Sequence, residues 1–253
     1  MKAVKVRNIR IGEGMPKICV PIVGSTKAQI MKEAENMQNI AVDFVEWRAD
    51  WFEAVFDSEQ VKAVLEDLRK ILGEIPLLFT FRTLREGGEK AIETDDYVEM
   101  NRKAAESGCV DLIDAELFAG EESVQKIIKA AHACGVKVIV SNHDFKKTPE
   151  KEEIVRRLEH MQRLGADIPK IAVMPRDKRD VLTLLTATVE ASEKAVCPII
   201  TMSMAGVGMI SRLCGEMFGS AVTFGAGEKA SAPGQIGAKD LKQILTVLHK
   251  GKE

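Results

Sequence analysis

The chemistry open to this chain centres on one lysine. Lys170 lies in Asp167-Ile-Pro-Lys-Ile-Ala-Val-Met-Pro175, a short apolar run closed by Pro175. Hiding an ammonium among Ile171, Ala172 and Val173 costs several kcal/mol or moves its pKa downward. A lysine treated this way is an amine nucleophile, able to form a Schiff base with a ketone or aldehyde. Taken alone, the run is better read as a strand-edge lysine whose tip reaches water. The groups found elsewhere in the chain shift the balance toward the nucleophile.

His143 ends a strong apolar stretch in the polar turn Ser141-Asn-His-Asp144, whereas His132, His160 and His249 fall in helical stretches. On a strand beside that of Lys170, its better reading is an acid/base role. Glu86 is a candidate to orient the imidazole through a hydrogen bond, or else a solvated loop carboxylate. Arg48, Arg82 and Arg212 suggest an anionic, oxygen-rich substrate, because a guanidinium fork grips a carboxylate with two hydrogen bonds. Asp114 and Glu116 fit equally as structural partners of those arginines. With one histidine among several carboxylates, a Mg2+ site is conceivable and a zinc site is not favoured. The arginines and Lys170 would repel a cation, so no metal is expected.

These groups need a frame. Residues 2–13 alternate apolar and polar, which predicts a strand or hairpin. A rhythm of short apolar strand, loop and amphipathic helix follows. The strands are expected at Ile18–Val23, Asp43–Trp47, Leu77–Phe81, Asp111–Ala115, Val136–Ser141, Lys170–Met174, Ile199–Met202 and Ala221–Phe224. Helices are expected at 26–38, 58–72, 95–107, 122–134, 149–164, 178–194, 207–218 and 238–249, with Thr148-Pro149 opening one of them. About eight such repeats in 253 residues is the arithmetic of a closed (β/α)8 TIM barrel with an N-terminal β-hairpin. An open doubly wound sheet is the alternative, but Gly12-Glu-Gly14 lacks the third glycine of its fingerprint. No linker breaks the rhythm, so residues 1–253 are expected to form a single barrel domain, with 1–14 as the hairpin. In a barrel the active site lies at the carboxyl ends of the strands. The polar residues named above fall there.

Composition narrows the function. Hydrophobic content of 45% and charged content of 29% suit a globular protein, and a net charge of −2 gives no general pull toward nucleic acid or anionic membrane. Five dispersed cysteines without a CxxC pair suggest reduced thiols and a cytoplasmic setting. The N-terminus has no apolar signal region, and no run is long enough to span a membrane. The stretch 225–235 is expected to be an active-site lid loop, its freedom supplied by Gly225, Gly227 and Gly234. Lys229 there would suit phosphate, but Ser231 and Gln235 suit hydroxyls and a carboxylate better.

Glu46-Trp-Arg48, Phe79-Thr-Phe-Arg82 with Glu86-Gly-Gly-Glu89, Ser141-Asn-His-Asp144, Pro169-Lys-Ile-Ala172 and Ser231-Ala-Pro-Gly-Gln235 occur in this order along the chain. The set resembles the type I 3-dehydroquinate dehydratases over essentially the whole length. Two departures are visible: Ala115 replaces a larger aliphatic and should change packing beneath the site, and Ala195-Val-Cys-Pro198 looks short. The resemblance implies syn-dehydration of 3-dehydroquinate to 3-dehydroshikimate, a step toward chorismate and the aromatic amino acids. Lys170 would form the Schiff base and His143 would move both protons, with Glu86 holding the ring. Arg212 and Gln235 would clamp the carboxylate, while Glu46, Arg48, Arg82 and Ser231 would contact ring hydroxyls. Met202, Met204, Phe145 and Phe224 would supply apolar cover around the amine. No cofactor is needed, since the lysine is the electron sink, and the family suggests a homodimer. A Schiff-base aldolase on the same barrel, or a non-catalytic barrel that binds small carboxylic acids, are the competing readings.

Overall fold

The computed structural model describes residues 2–227 and 234–252. The alternating N-terminal residues pair as an antiparallel hairpin, β1 (Val4–Val6) with β2 (Ile9–Ile11). Eight parallel strands follow: β3 (Lys17–Ile22), β4 (Phe44–Arg48), β5 (Leu77–Thr80), β6 (Leu112–Glu116), β7 (Lys137–Asp144), β8 (Ile168–Val173), β9 (Ile200–Ser203) and β10 (Val222–Phe224). Each pairs with the next along the chain, and β10 returns to β3. Between β9 and β10 the ring is held by a single bridge, Ile199 to Ser220. This is the (β/α)8 barrel that the repeat count predicts.

The helices between them are α1 (Lys27–Asn36), α2 (Ser58–Leu72), α3 (Thr94–Glu106), α4 (Glu121–Ala133), α5 (Lys151–Leu164), α6 (Lys178–Lys194), α7 (Met209–Leu213), α8 (Gly215–Phe218) and α9 (Ala238–Lys250). Side chains fix several starts. Thr26 and Gln29 close a reciprocal capping box, while Asp57 and Asp177 each accept two backbone N–H groups. Three expectations need correction. Helix α5 opens at Lys151 rather than at Pro149, because the Thr148 hydroxyl donates to the Met174 carbonyl instead of capping. The helix expected over 207–218 splits at Cys214, where Gly215 lies against the Ser220 carbonyl too closely for any side chain. Strand β7 runs three residues past Ser141, since Asn142, His143 and Asp144 pair with Ile171, Ala172 and Val173. His143 therefore stands on a strand and not in a turn.

Strand alternation decides what each residue meets, since positions two apart share a face. Phe44, Leu78, Leu112, Ile139, Ile168, Ile200 and Val222 form an apolar layer inside the barrel, plugged below by Val6 and Ile11 of the hairpin. Two residues further along the same strands come Glu46, Thr80, Asp114, Ser141, Lys170, Met202 and Phe224. At this level five of the seven inner residues are polar, with Met202 and Phe224 the apolar exceptions. Residues of the other parity, such as Val45, Trp47, Ile113, Val140 and Ile171, pack outward against the helices. Ala115 belongs to that outer set. Its small side chain alters strand–helix packing, not the floor of the site.

Candidate active site

One cavity at the carboxyl ends of the strands is lined by Glu46, Arg48, Arg82, Glu86, His143, Lys170, Arg212 and Gln235. Eight of the nine residues picked from the sequence thus meet in one place. The ninth, Ser231, lies outside the described residues, as does the 228–233 portion of the expected 225–235 lid loop.

Lys170 is 3% exposed, so its tip does not reach water. Its Nζ stands 3.4 Å from Asp114 Oδ2 and 4.4 Å from the centroid of the Phe224 ring. The expected apolar cover is therefore only part of its surroundings. Met202, Met204 and Phe145 line the same cavity, but a carboxylate faces the nitrogen directly.

Arg82 is the hub of the buried charges. Its Nη1 donates to Glu116 Oε1 at 2.8 Å and to Ser141 Oγ at 3.0 Å, and its Nη2 reaches Asp114 Oδ1 at 2.8 Å. Glu86 Oε2 is 3.8 Å from the same guanidinium. Burial pushes the Asp114 carboxyl up, but Arg82, Lys170 and the Ser141 hydroxyl outweigh it and hold it below the usual range. Among the described residues no cluster of three or more His, Cys, Asp or Glu is arranged to hold a metal ion. Here the guanidinium fills the space among the carboxylates.

Glu86 sits at the end of a single 3-10 turn after β5 and is buried. Its Oε2 accepts the backbone N–H of His143 at 2.8 Å and lies 3.0 Å from His143 Nδ1. Its Oε1 accepts from Asn142 Nδ2 at 3.2 Å, and Asn142 Oδ1 in turn accepts from Arg157 of α5 at 2.8 Å. Burial and then the Glu116 carboxylate push the Glu86 carboxyl up to about 8, against the pull of Arg82, Asn142 and the His143 amide. Burial, with Arg82, Lys170 and Arg48 nearby, pushes His143 well below its ordinary value. A neutral imidazole is the form that takes up a proton.

Sequence reasoning missed Asn142 as the second ligand of Glu86; its only signal was its place in the Ser-Asn-His-Asp motif. It also gave no reason for the glycine pair after Glu86. A side chain at Gly88 would collide with the Arg82 carbonyl, and one at Gly87 with the Phe145 ring. Gly87 also has φ +84°. The remaining groups are held firmly. Arg48 makes two 2.8 Å bonds to Asp50, and Glu46 accepts from Thr80 Oγ1 at 2.9 Å. Arg212, on α7, is 2% exposed, and burial lowers its pKa to about 10. The other histidines are engaged away from the cavity: His132 with Asp167, His160 with Glu121 and His249 with Glu216.

A parallel barrel with a buried amine, a neutral imidazole and a ring of guanidinium groups at its strand ends defines an enzyme of carbonyl chemistry on acidic substrates. The family model for type I 3-dehydroquinase matches residues 18–252, and the chain belongs to that family. A 3-dehydroquinate dehydratase of Listeria monocytogenes is 58% identical over 250 residues, covering 99% of each chain. The Clostridioides difficile enzyme of the same name is 57% identical over 250 residues, covering 98% of each. A crystal structure of type I 3-dehydroquinate dehydratase from Clostridium difficile superimposes with a TM-score of 0.97, covering 99% of this chain and 100% of that one. At 18% identity and a TM-score of 0.59, a 3-hexulose-6-phosphate synthase shares the fold alone.

Proposed function

We propose that Lys170, His143 and Glu86 carry out the dehydration of 3-dehydroquinate to 3-dehydroshikimate on this barrel. The chain is a hydro-lyase of the shikimate pathway by its family; the assignment of each residue is our own reading. The observation that carries it is the buried Lys170 amine sharing a cavity with His143, whose ring is held 3.0 Å from Glu86. Lys170 attacks the C3 ketone, and the iminium acidifies the C2 proton. His143 takes that proton and returns it to the departing C1 hydroxyl. Arg212 and Gln235 take the substrate carboxylate. Glu46 and Arg48, with Arg82 and Ser231, take the ring hydroxyls. The lysine is the electron sink, so no cofactor enters the scheme.

We further read residues 1–253 as one domain, cytoplasmic and homodimeric. Dispersed free thiols support the compartment, and an exposed apolar run at Val207, Met209 and Ile210 offers a face for a second copy. Sedimentation of the purified chain tests the dimer. For the activity, the chain is incubated with 3-dehydroquinate while the conjugated enone of the product is followed by absorbance. Borohydride added during turnover should leave a stable adduct that maps to Lys170. Carbon–carbon cleavage products would indicate an aldolase, and binding without an adduct a non-catalytic barrel.

A further inference from the structure

Asp114, on β6, faces Lys170 of β8 across the one strand between them, and the sequence reading gave it no chemical part. It is completely buried. Its Oδ1 is fixed from two sides, by Arg82 Nη2 at 2.8 Å and by Ser141 Oγ at 2.6 Å, while its Oδ2 stands 3.4 Å from Lys170 Nζ. Three donors on one carboxylate define an anion held in place, not a proton shuttle. One of those donors is the reacting nitrogen.

We propose that Asp114 is a further catalytic residue, the fixed counter-charge of the Lys170 nitrogen through the imine stages. This rests on the Schiff-base assignment of Lys170 made above. The Lys170 ammonium passes two of its three protons to the carbonyl oxygen by way of solvent as its lone pair attacks the ketone, so a C–N bond forms, the C–O bond breaks and the oxygen leaves as water. The nitrogen is then a cationic iminium that keeps one proton. Loss of the C2 proton to His143 places its electron pair in the C2–C3 bond and makes the nitrogen a neutral enamine. Departure of the C1 hydroxyl as water, its proton supplied by His143, restores the cation until hydrolysis frees the amine.

A carboxylate anchored beside that nitrogen stabilises both cationic stages relative to the neutral enamine. Asp114 therefore holds the nitrogen as the cationic imine, the form that borohydride reduces, and restrains its passage to the neutral enamine. The two effects have opposite signs. A variant lacking the charge separates them, whereas a merely structural defect lowers both together.

The test is a single-turnover reaction of the full chain with 3-dehydroquinate, quenched with borohydride at successive times, in the wild type and in Asp114→Asn. The adduct on Lys170 is quantified by mass spectrometry and product by absorbance. Early adduct is expected to fall on the order of tenfold or more in Asp114→Asn, the scale of a lost charge-assisted contact. Elimination from whatever imine does form should not slow in proportion. Equal adduct in the two proteins, or equal losses at both steps, overturns the inference while the Lys170 assignment stands. A wild type with no adduct on Lys170 removes that assignment, and this inference with it. If Asp114→Asn does not fold, Asp114→Glu is measured instead. Its longer arm cannot keep both the Oδ1 anchors and the 3.4 Å spacing, so adduct several-fold below wild type is expected, and wild-type adduct overturns the inference.

Discussion

Glu86 Oε2 receives the backbone N–H of His143 at 2.8 Å and stands 3.0 Å from Nδ1 of the same residue. A single carboxylate oxygen thus fixes both the strand end and the ring plane. The two groups are shifted in opposite directions, Glu86 up and His143 down, and the proton count follows from that. Glu86 is raised to about 8, so its carboxyl keeps a proton through neutral pH. His143 is lowered, so its ring is uncharged there.

A pH dependence follows. While the carboxyl holds its proton toward Nδ1, the neutral ring carries its own proton on the far nitrogen. Loss of the dyad proton lets Nδ1–H donate to the carboxylate and frees the other nitrogen as a base. The base form therefore grows as pH rises through about 8, and kcat/KM should show an acid limb there. Glu86→Gln has no such proton to lose. Its limb should move to below the ordinary histidine range, with a lower plateau. A limb near 8 that survives in Glu86→Gln belongs to another group.

His143→Ala should uncouple the two halves of the reaction. Lys170 still forms its imine, while elimination loses the ~10²–10⁴-fold typical of a positioned acid/base. Borohydride should trap an adduct in this variant without product accumulating. Turnover within a few-fold of wild type would remove His143 from the proton transfers.

Much of this architecture was legible in the residues themselves. The barrel follows from a period that switches between strand and helix about eight times, and α2 and α6 begin and end at the residues the periodicity predicts. Lys170 and His143 were legible only together: the lysine's run alone fits a tip that reaches water, and the histidine at the end of the neighbouring strand turns that reading toward chemistry. What escaped depends on pairing between distant strands. Asn142 could not be matched to Glu86, 56 residues away. The outward direction of Ala115 follows only once the strand parity places Asp114 and Glu116 inside. The Thr148 hydroxyl resembled a cap until the end of β8 brought the Met174 carbonyl beside it.

The glycine pair gives a stability test. Any side chain at Gly88 meets the Arg82 carbonyl, which is backbone and cannot swing aside. Gly88→Ala should cost ~1–3 kcal/mol, the range for overpacking a tight site. For a chain of this size that lowers Tm by about 2–4 °C per kcal/mol. Because the same turn carries Glu86, kcat should fall as well. A variant with wild-type Tm and kcat would show that the turn relaxes freely and that the close approach has no consequence.

Arg212 is buried without the substrate, and that burial alone lowers its pKa to about 10. It stays protonated at neutral pH, so the free protein holds a guanidinium charge in a poorly solvated place. A substrate carboxylate would meet it with two charge-assisted hydrogen bonds in a site shielded from water, which is why the contact should be strong for its size. Arg212→Ala should weaken binding by about 2–5 kcal/mol, the cost of removing one partner of a buried charge pair. Arg212→Lys should recover only part of it, since an ammonium cannot make the two parallel bonds of the fork. Titration calorimetry with the product and with an analogue lacking the carboxylate decides the matter. In the wild type the analogue should bind far more weakly, and in Arg212→Ala the two should bind nearly alike. An analogue that binds the wild type as tightly as the product would mean that the carboxylate is anchored elsewhere in the cavity.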